Sequence, residues 1–210
     1  MFGEYLKMFL HHTITLLTIV NPIAAASIML SLLPPNDDKI VKSTARKATL
    51  IVMVASFITL FLGEMIFKLF GISVLSIEVI GGIIIMLIAI NMVYGEHSKA
   101  RHSPEERDEA KEKEDIAIVP LGIPILFGPG VIAVLILLNN QLKGLYSYIV
   151  VSLSIITVGI AVYLTLLYAA KIDKLLGVTG IKILTRIMGL ILGAIASQML
   201  INGIKGLWNG

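Results

Sequence analysis

Cysteine is absent from all 210 residues, which excludes disulfides, thiolate metal sites, iron–sulfur clusters and cysteine nucleophiles. Charge is scarce too. Only 15% of residues are charged, against about 25% in soluble domains. Too little chain lies outside apolar runs for a separate soluble catalytic domain to fold. Paired intramembrane aspartates, His-Glu-x-x-His and a serine beside a buried histidine are all lacking, so an enzyme is not expected. Basic residues give a net charge of +3 but flank apolar spans, the ordinary membrane pattern, so no nucleic-acid partner is expected either.

What remains is apolar: 57% hydrophobic residues with a mean hydropathy of +0.92. Six charge-free windows approach or exceed the roughly 20 residues that cross a bilayer as helix. The expected fold is therefore an all-α, polytopic membrane protein with spans near 9–33, 44–66, 74–94, 116–138, 146–170 and 183–205. The 29 uncharged residues after Lys7 are too long for a signal-peptide core, so the first span is expected to be retained. Lys and Arg divide thirteen to four in favour of the loops at 34–47, 95–115 and 171–182, with Arg186 just past the last counted on its side. By the positive-inside rule those loops face the cytoplasm, and both termini lie outside the cytoplasmic membrane. The segment from Tyr94 to Asp115 carries eight acids and five bases and reads as a charged linker, with Ser103-Pro104 as a helix start.

A repeat appears at an offset of 107 residues. Asn21-Pro22 falls on Gly128-Pro129, and Ala26 on Ala133. Across 80–92 the identities are Ile80/Ile187, Gly82/Gly189, Ile84/Ile191, Ile88/Ile195, Ala89/Ala196 and Met92/Met199, and Asn91 meets Gln198. With three spans per half, the second half enters the membrane from the opposite side. The expected organisation is a first three-helix repeat at 1–95, a cytoplasmic linker at 96–115, and a second, inverted repeat at 116–210. Inverted repeats are a recurring plan of secondary transporters, with the substrate near the midplane. Gly189, Gly193 and Ser197 on the sixth span, and Gly81 or Gly82 with Ala89 on the third, form small-residue faces suited to close helix packing.

Spans 1 and 4 are interrupted at matching places. Pro22 should break the first helix near Thr18 and push Asn21 out of helical geometry. In the fourth, Pro120, Gly122, Pro124, Gly128, Pro129 and Gly130 make a poor continuous helix. Unpaired backbone at membrane depth survives only against protein or a water-filled cavity, so the two breaks should share one. Free amides at the start of a half-helix suit a carboxylate, and free carbonyls at the end of another suit an ammonium group or cation.

Asn21-Pro22, together with Pro120-Leu-Gly-Ile-Pro124-Ile-Leu-Phe-Gly128-Pro129-Gly130, resembles the MarC/SnatA family of integral membrane proteins over essentially the whole chain. In many relatives the first motif reads Asp-Pro-x-Gly-Asn-x-Pro, of which this chain keeps only the proline. The SnatA branch implies transport of small neutral amino acids such as glycine and alanine. The expected function is thus a secondary transporter working by alternating access. Its substrate contacts would come from Asn21, Pro22, Ala24, Ala25, Gly128, Pro129, Gly130 and Gln198, with the alanines limiting side-chain size. A channel for small neutral solutes, or an accessory membrane subunit, stays open as an alternative. No cofactor or metal is expected. The coupling ion, Na+ or H+, and the oligomeric state stay open. Glu64 is placed to pair with Lys68 four residues on, Glu78 is read as an interface ion-pair partner, and His11 and His12 as interfacial.

Overall fold

The computed structural model describes residues 2–34, 37–95 and 116–209, so the charged linker and Ser103-Pro104 lie outside the described residues. The described chain is all-helical. In order it contains α1 (Phe2–Val20), α2 (Pro22–Leu32), α3 (Asp38–Leu69), α4 (Val74–Tyr94), a proline segment (Ala117–Leu126), α5 (Pro129–Gln141), α6 (Leu145–Leu167) and α7 (Ala169–Asn209). Five stretches are long and apolar enough to cross a membrane, α1 with α2 counting as one; the proline segment with α5, bent by 58°, makes the sixth.

Local chemistry explains the boundaries. The Asp37 carboxylate accepts from the Lys39 and Ile40 amides at 3.0 and 3.1 Å and so caps α3. Ser73 caps α4 by accepting from Ser76 N–H at 3.1 Å. Gly71 turns the chain between them at φ 71°, a left-handed geometry that glycine adopts without a Cβ penalty. Gly177, at φ 60° and ψ 176°, is the one non-helical residue recorded within α7. The expected loops at 34–47 and 171–182 are therefore largely helix. Charged residues end an apolar window, but the backbone hydrogen bonds continue past it into the polar region.

Two helix starts recur 107 residues apart, Pro22 with Pro129 and Asp38 with Leu145. The α4–α7 contact is the most extensive in the molecule, and glycines make it close. A Cβ on Gly82 would sit 3.1 Å from Ala196 O and 2.8 Å from Leu200 Cγ; one on Gly189 would sit 3.0 Å from Ala89 O and 3.1 Å from Val93 Cγ2. As the position along α4 rises, its neighbour on α7 falls, so the two helices run antiparallel. Without side chains at these crossings the backbones approach to van der Waals contact, the main attraction available between helices in lipid. Gly81 does the same against α5, where its Cβ would lie 2.5 Å from Ala133 Cβ. The buried core, including Met29, Ile85, Leu126, Leu135, Val162 and Leu192, surrounds the junction of α2, α5 and the proline segment.

Candidate functional site: a cavity between two helix breaks

The first break is narrower than expected. Helix α1 persists through Val20, and Asn21 N–H still bonds Leu17 O at 3.0 Å. The interruption is Asn21 alone, left-handed at φ 46° and ψ 63°. Proline at the first position of a helix needs no donor and has its φ pre-set, so the chain restarts at Pro22 instead of unwinding back to Thr18. Asparagine tolerates this geometry because its side chain bonds locally; Asn21 Oδ1 accepts from Ala24 N–H at 3.4 Å.

The second break is longer. Val119 (φ −131°, ψ 121°) and Ile123 (φ −131°, ψ 123°) are extended, as residues before proline tend to be, and both following X-Pro bonds are cis. Amides here reach back five residues, Leu121 N–H to Ile116 O at 3.2 Å and Phe127 N–H to Gly122 O at 2.9 Å. Gly128 then starts α5 with no side-chain cap: Pro129 has no N–H, the Val131 and Ile132 amides bond Gly128 O at 3.0 and 3.3 Å, and the Gly130 amide stands outside these bonds.

Between the breaks lies a cavity of about 170 Å³. Asn21, Ala24, Ala25, Gly128, Pro129 and Gly130 line it, joined by Ile19, Ile28, Ile88, Met92, Pro124 and Val131. Pro22 is buried beside the break but outside this lining. Gln198 is not here: it lines a separate cavity and donates to Asn202 Oδ1 at 2.8 Å. It stands six residues beyond Leu192 of the core, more than one helical turn further along α7. The apolar members were missed from sequence because they carry no chemistry; only their positions, such as Val131 opposite Ala24 in the 107-residue offset, could have marked them.

The polar groups facing this space are backbone and carboxamide. Asn21 Nδ2 is buried and has no hydrogen-bond partner, a state that costs about 1–3 kcal/mol unless something accepts from it. With the uncapped start of α5 it makes a donor pole. The last carbonyls of α1, deprived of a partner by Pro22, make an acceptor pole.

A second cavity, of about 210 Å³, shares Ala24, Ile28 and Met92 with the first and continues past Ser27 to Asp173, Lys182 and Thr185. A third, of about 190 Å³, lies between His11, Glu78, Gln141, Gln198 and Asn202 and shares no lining residue with the central one. Val131 of the central cavity and Val134 of the third are three residues apart on α5, a separation of about 4.5 Å.

The family model described as MarC family integral membrane protein matches residues 6–208. The chain belongs to the MarC family. It is 37% identical over 200 residues to UPF0056 membrane protein YvbG of Bacillus subtilis, covering 94% of each chain. It is 36% identical over 193 residues to UPF0056 membrane protein MJ1677 of Methanocaldococcus jannaschii, covering 91% of this chain and 93% of that one. With UPF0056 membrane protein YhcE of Escherichia coli the identity is 31% over 209 residues, 100% of this chain and 95% of that one. No solved structure matches with significance.

In this MarC protein two further polar readings have outcomes. Glu64 pairs with Lys68, Nζ to Oε1 at 2.6 Å, and also accepts from Asn139 Nδ2 at 2.9 Å, which ties α3 to the end of α5. Glu78 is not ion-paired among the described residues but hydrogen-bonds Asn202 on α7. His12 is buried rather than interfacial, at 6% exposure, with Nδ1 unpartnered.

Proposed function

We propose that this MarC protein is a secondary transporter of small neutral amino acids, binding its cargo in the cavity between Asn21 and the start of α5. The observation that carries the reading is one cavity between the breaks holding a donor pole and an acceptor pole with no charged side chain in its lining. A zwitterion satisfies both poles at once: its carboxylate takes the Asn21 carboxamide and the Gly130 amide at the start of α5, and its ammonium group takes the terminal carbonyls of α1. Ala24 and Ala25 on one wall and Gly128 and Gly130 on the other leave room for a hydrogen or methyl side chain.

Alternating access by two inverted repeats fits the same geometry. It is supported by two helix starts recurring 107 residues apart and by reciprocal contacts, Gly82 to Ala196 O and Gly189 to Ala89 O. Each of these contacts is the other with the halves exchanged, as a two-fold relation requires. By the positive-inside rule, the 210 Å³ vestibule beside Asp173 and Lys182 opens to the cytoplasm, and both termini lie outside. Among the described residues the central cavity shares Ala24, Ile28 and Met92 with that vestibule and no lining residue with the third cavity, which favours a carrier over a continuous pore.

The test is uptake of labelled glycine, alanine and leucine into proteoliposomes. Saturable uptake and counterflow of glycine or alanine are expected, with leucine excluded. Leucine transported equally well would remove the size argument, non-saturating flux would indicate a channel, and no uptake of any would end the assignment.

A further inference from the structure

The third cavity is not explained by substrate binding at the breaks. Its walls come from α1, α4, α5 and α7, and Glu78 is its carboxylate. An acid inside a membrane helix is expensive and is ordinarily paired or functional. Here its protein partner is a neutral carboxamide, Asn202. The amides form a chain with one direction: Gln198 Nε2 donates to Asn202 Oδ1 at 2.8 Å, so Asn202 Nδ2 is the donor to Glu78. The acceptors this leaves on the lining residues are the remaining carboxylate lone pairs and the Gln198 carboxamide oxygen, beside the side chains of Gln141, Thr15 and His11. The corresponding cavity on the other side differs in charge. Thr185 stands 107 residues on from Glu78, and Asp173 there is accompanied by Lys182. The Glu78 cavity has one carboxyl side chain and no lysine or arginine among its lining residues, with His11 on another wall.

We propose that this cavity is a second binding site, which takes a primary ammonium group on Glu78 and Gln198. Resting on the transport reading above, the site receives the ammonium end of the cargo at the outer mouth. Val131 of the central cavity and Val134 of this one stand three residues apart on α5, so the two sites lie close along that helix. An ammonium group has three N–H donors and meets a carboxylate and a carbonyl without needing a metal ion's full oxygen shell.

The experiment measures thermal unfolding of the purified full-length protein in detergent against ethylammonium chloride, with sodium chloride and sodium propionate as comparison salts. Ethylammonium should raise the melting temperature of the wild type. Glu78→Gln, which keeps an acceptor for Asn202, should need at least about tenfold more, the scale of one lost charged hydrogen bond. Gln198→Leu should weaken the effect while leaving the carboxylate in place. Equal protection of Glu78→Gln and wild type would overturn the proposal, and so would sodium protecting as well as ethylammonium. The two readings separate cleanly: Glu78-dependent ethylammonium binding without any amino-acid uptake sinks the transporter and keeps this site. Normal uptake with no ethylammonium effect sinks this site alone.

Discussion

Replacing Asn21 with glycine should leave the protein as stable as the wild type or more so, while abolishing transport. The left-handed geometry at Asn21 (φ 46°, ψ 63°) is open to glycine without a Cβ penalty. The cap bond that is lost is long, 3.4 Å to Ala24 N–H, and glycine at an N-cap gives up only a few tenths of a kcal/mol relative to asparagine. Against this, the substitution removes the buried Nδ2 donor that has no partner, a desolvation penalty of about 1–3 kcal/mol. The expected balance is stabilisation by about 1 kcal/mol, a rise of roughly 2–4 °C in melting temperature for a chain this size. Asn21→Ala isolates the backbone contribution: it too lacks the carboxamide but places a Cβ in left-handed geometry, so it should be about 1–2 kcal/mol less stable than the glycine variant. Thermal unfolding in detergent reads the stabilities, and glycine uptake into proteoliposomes reads function. A glycine variant that unfolds several degrees earlier while transporting normally would refute the reasoning, since Asn21 would then be structural.

Gly130→Val should stop uptake, because its Cβ would lie 3.3 Å from Ile85 Cγ1 and 3.5 Å from Ile88 Cδ1, leaving its methyls only the cavity; overpacking of this kind costs about 1–3 kcal/mol, readable as a lower melting temperature. Gly82→Leu and Gly189→Leu should lower the melting temperature by similar amounts, since each drives a side chain into the facing backbone carbonyl at 3.1 or 3.0 Å; strongly unequal shifts would count against a two-fold relation between the halves. Lys68→Met should change stability by less than about 1 kcal/mol in chemical or thermal unfolding, because Lys68 is largely exposed and Glu64 keeps its two asparagine donors.

Most of the fold was legible because a bilayer imposes it. Backbone groups in hydrocarbon must be satisfied within the segment, so each long charge-free window in this chain is helical or bent helix. Pro22, Gly128 and Pro129 announced the breaks for an equally local reason, a missing donor and a missing side chain. Periodicity also brought Gly82 and Gly189 to attention before their partners were known. Helix ends were less legible. α3 begins at Asp38 and α7 continues through the basic stretch before Ile183, because capping and hydrogen bonding, not hydropathy, end a helix in water.

What local rules could not decide was which polar groups meet. Asn21 and Gly130 are more than 100 residues apart, and whether they share a cavity depends on how α1, α4 and α5 pack. Gln198 went the other way: its equivalence to Asn91 suggested a place at the breaks, yet the antiparallel crossing of α4 and α7 carries it to the Glu78 cavity. The helical, apolar character of the spans and the presence of breaks beside Pro22 and Pro129 follow from residue chemistry alone, because each is settled within a turn or two of chain. The contents of each cavity follow from crossing points between distant helices, which only side-chain packing across those crossings can set.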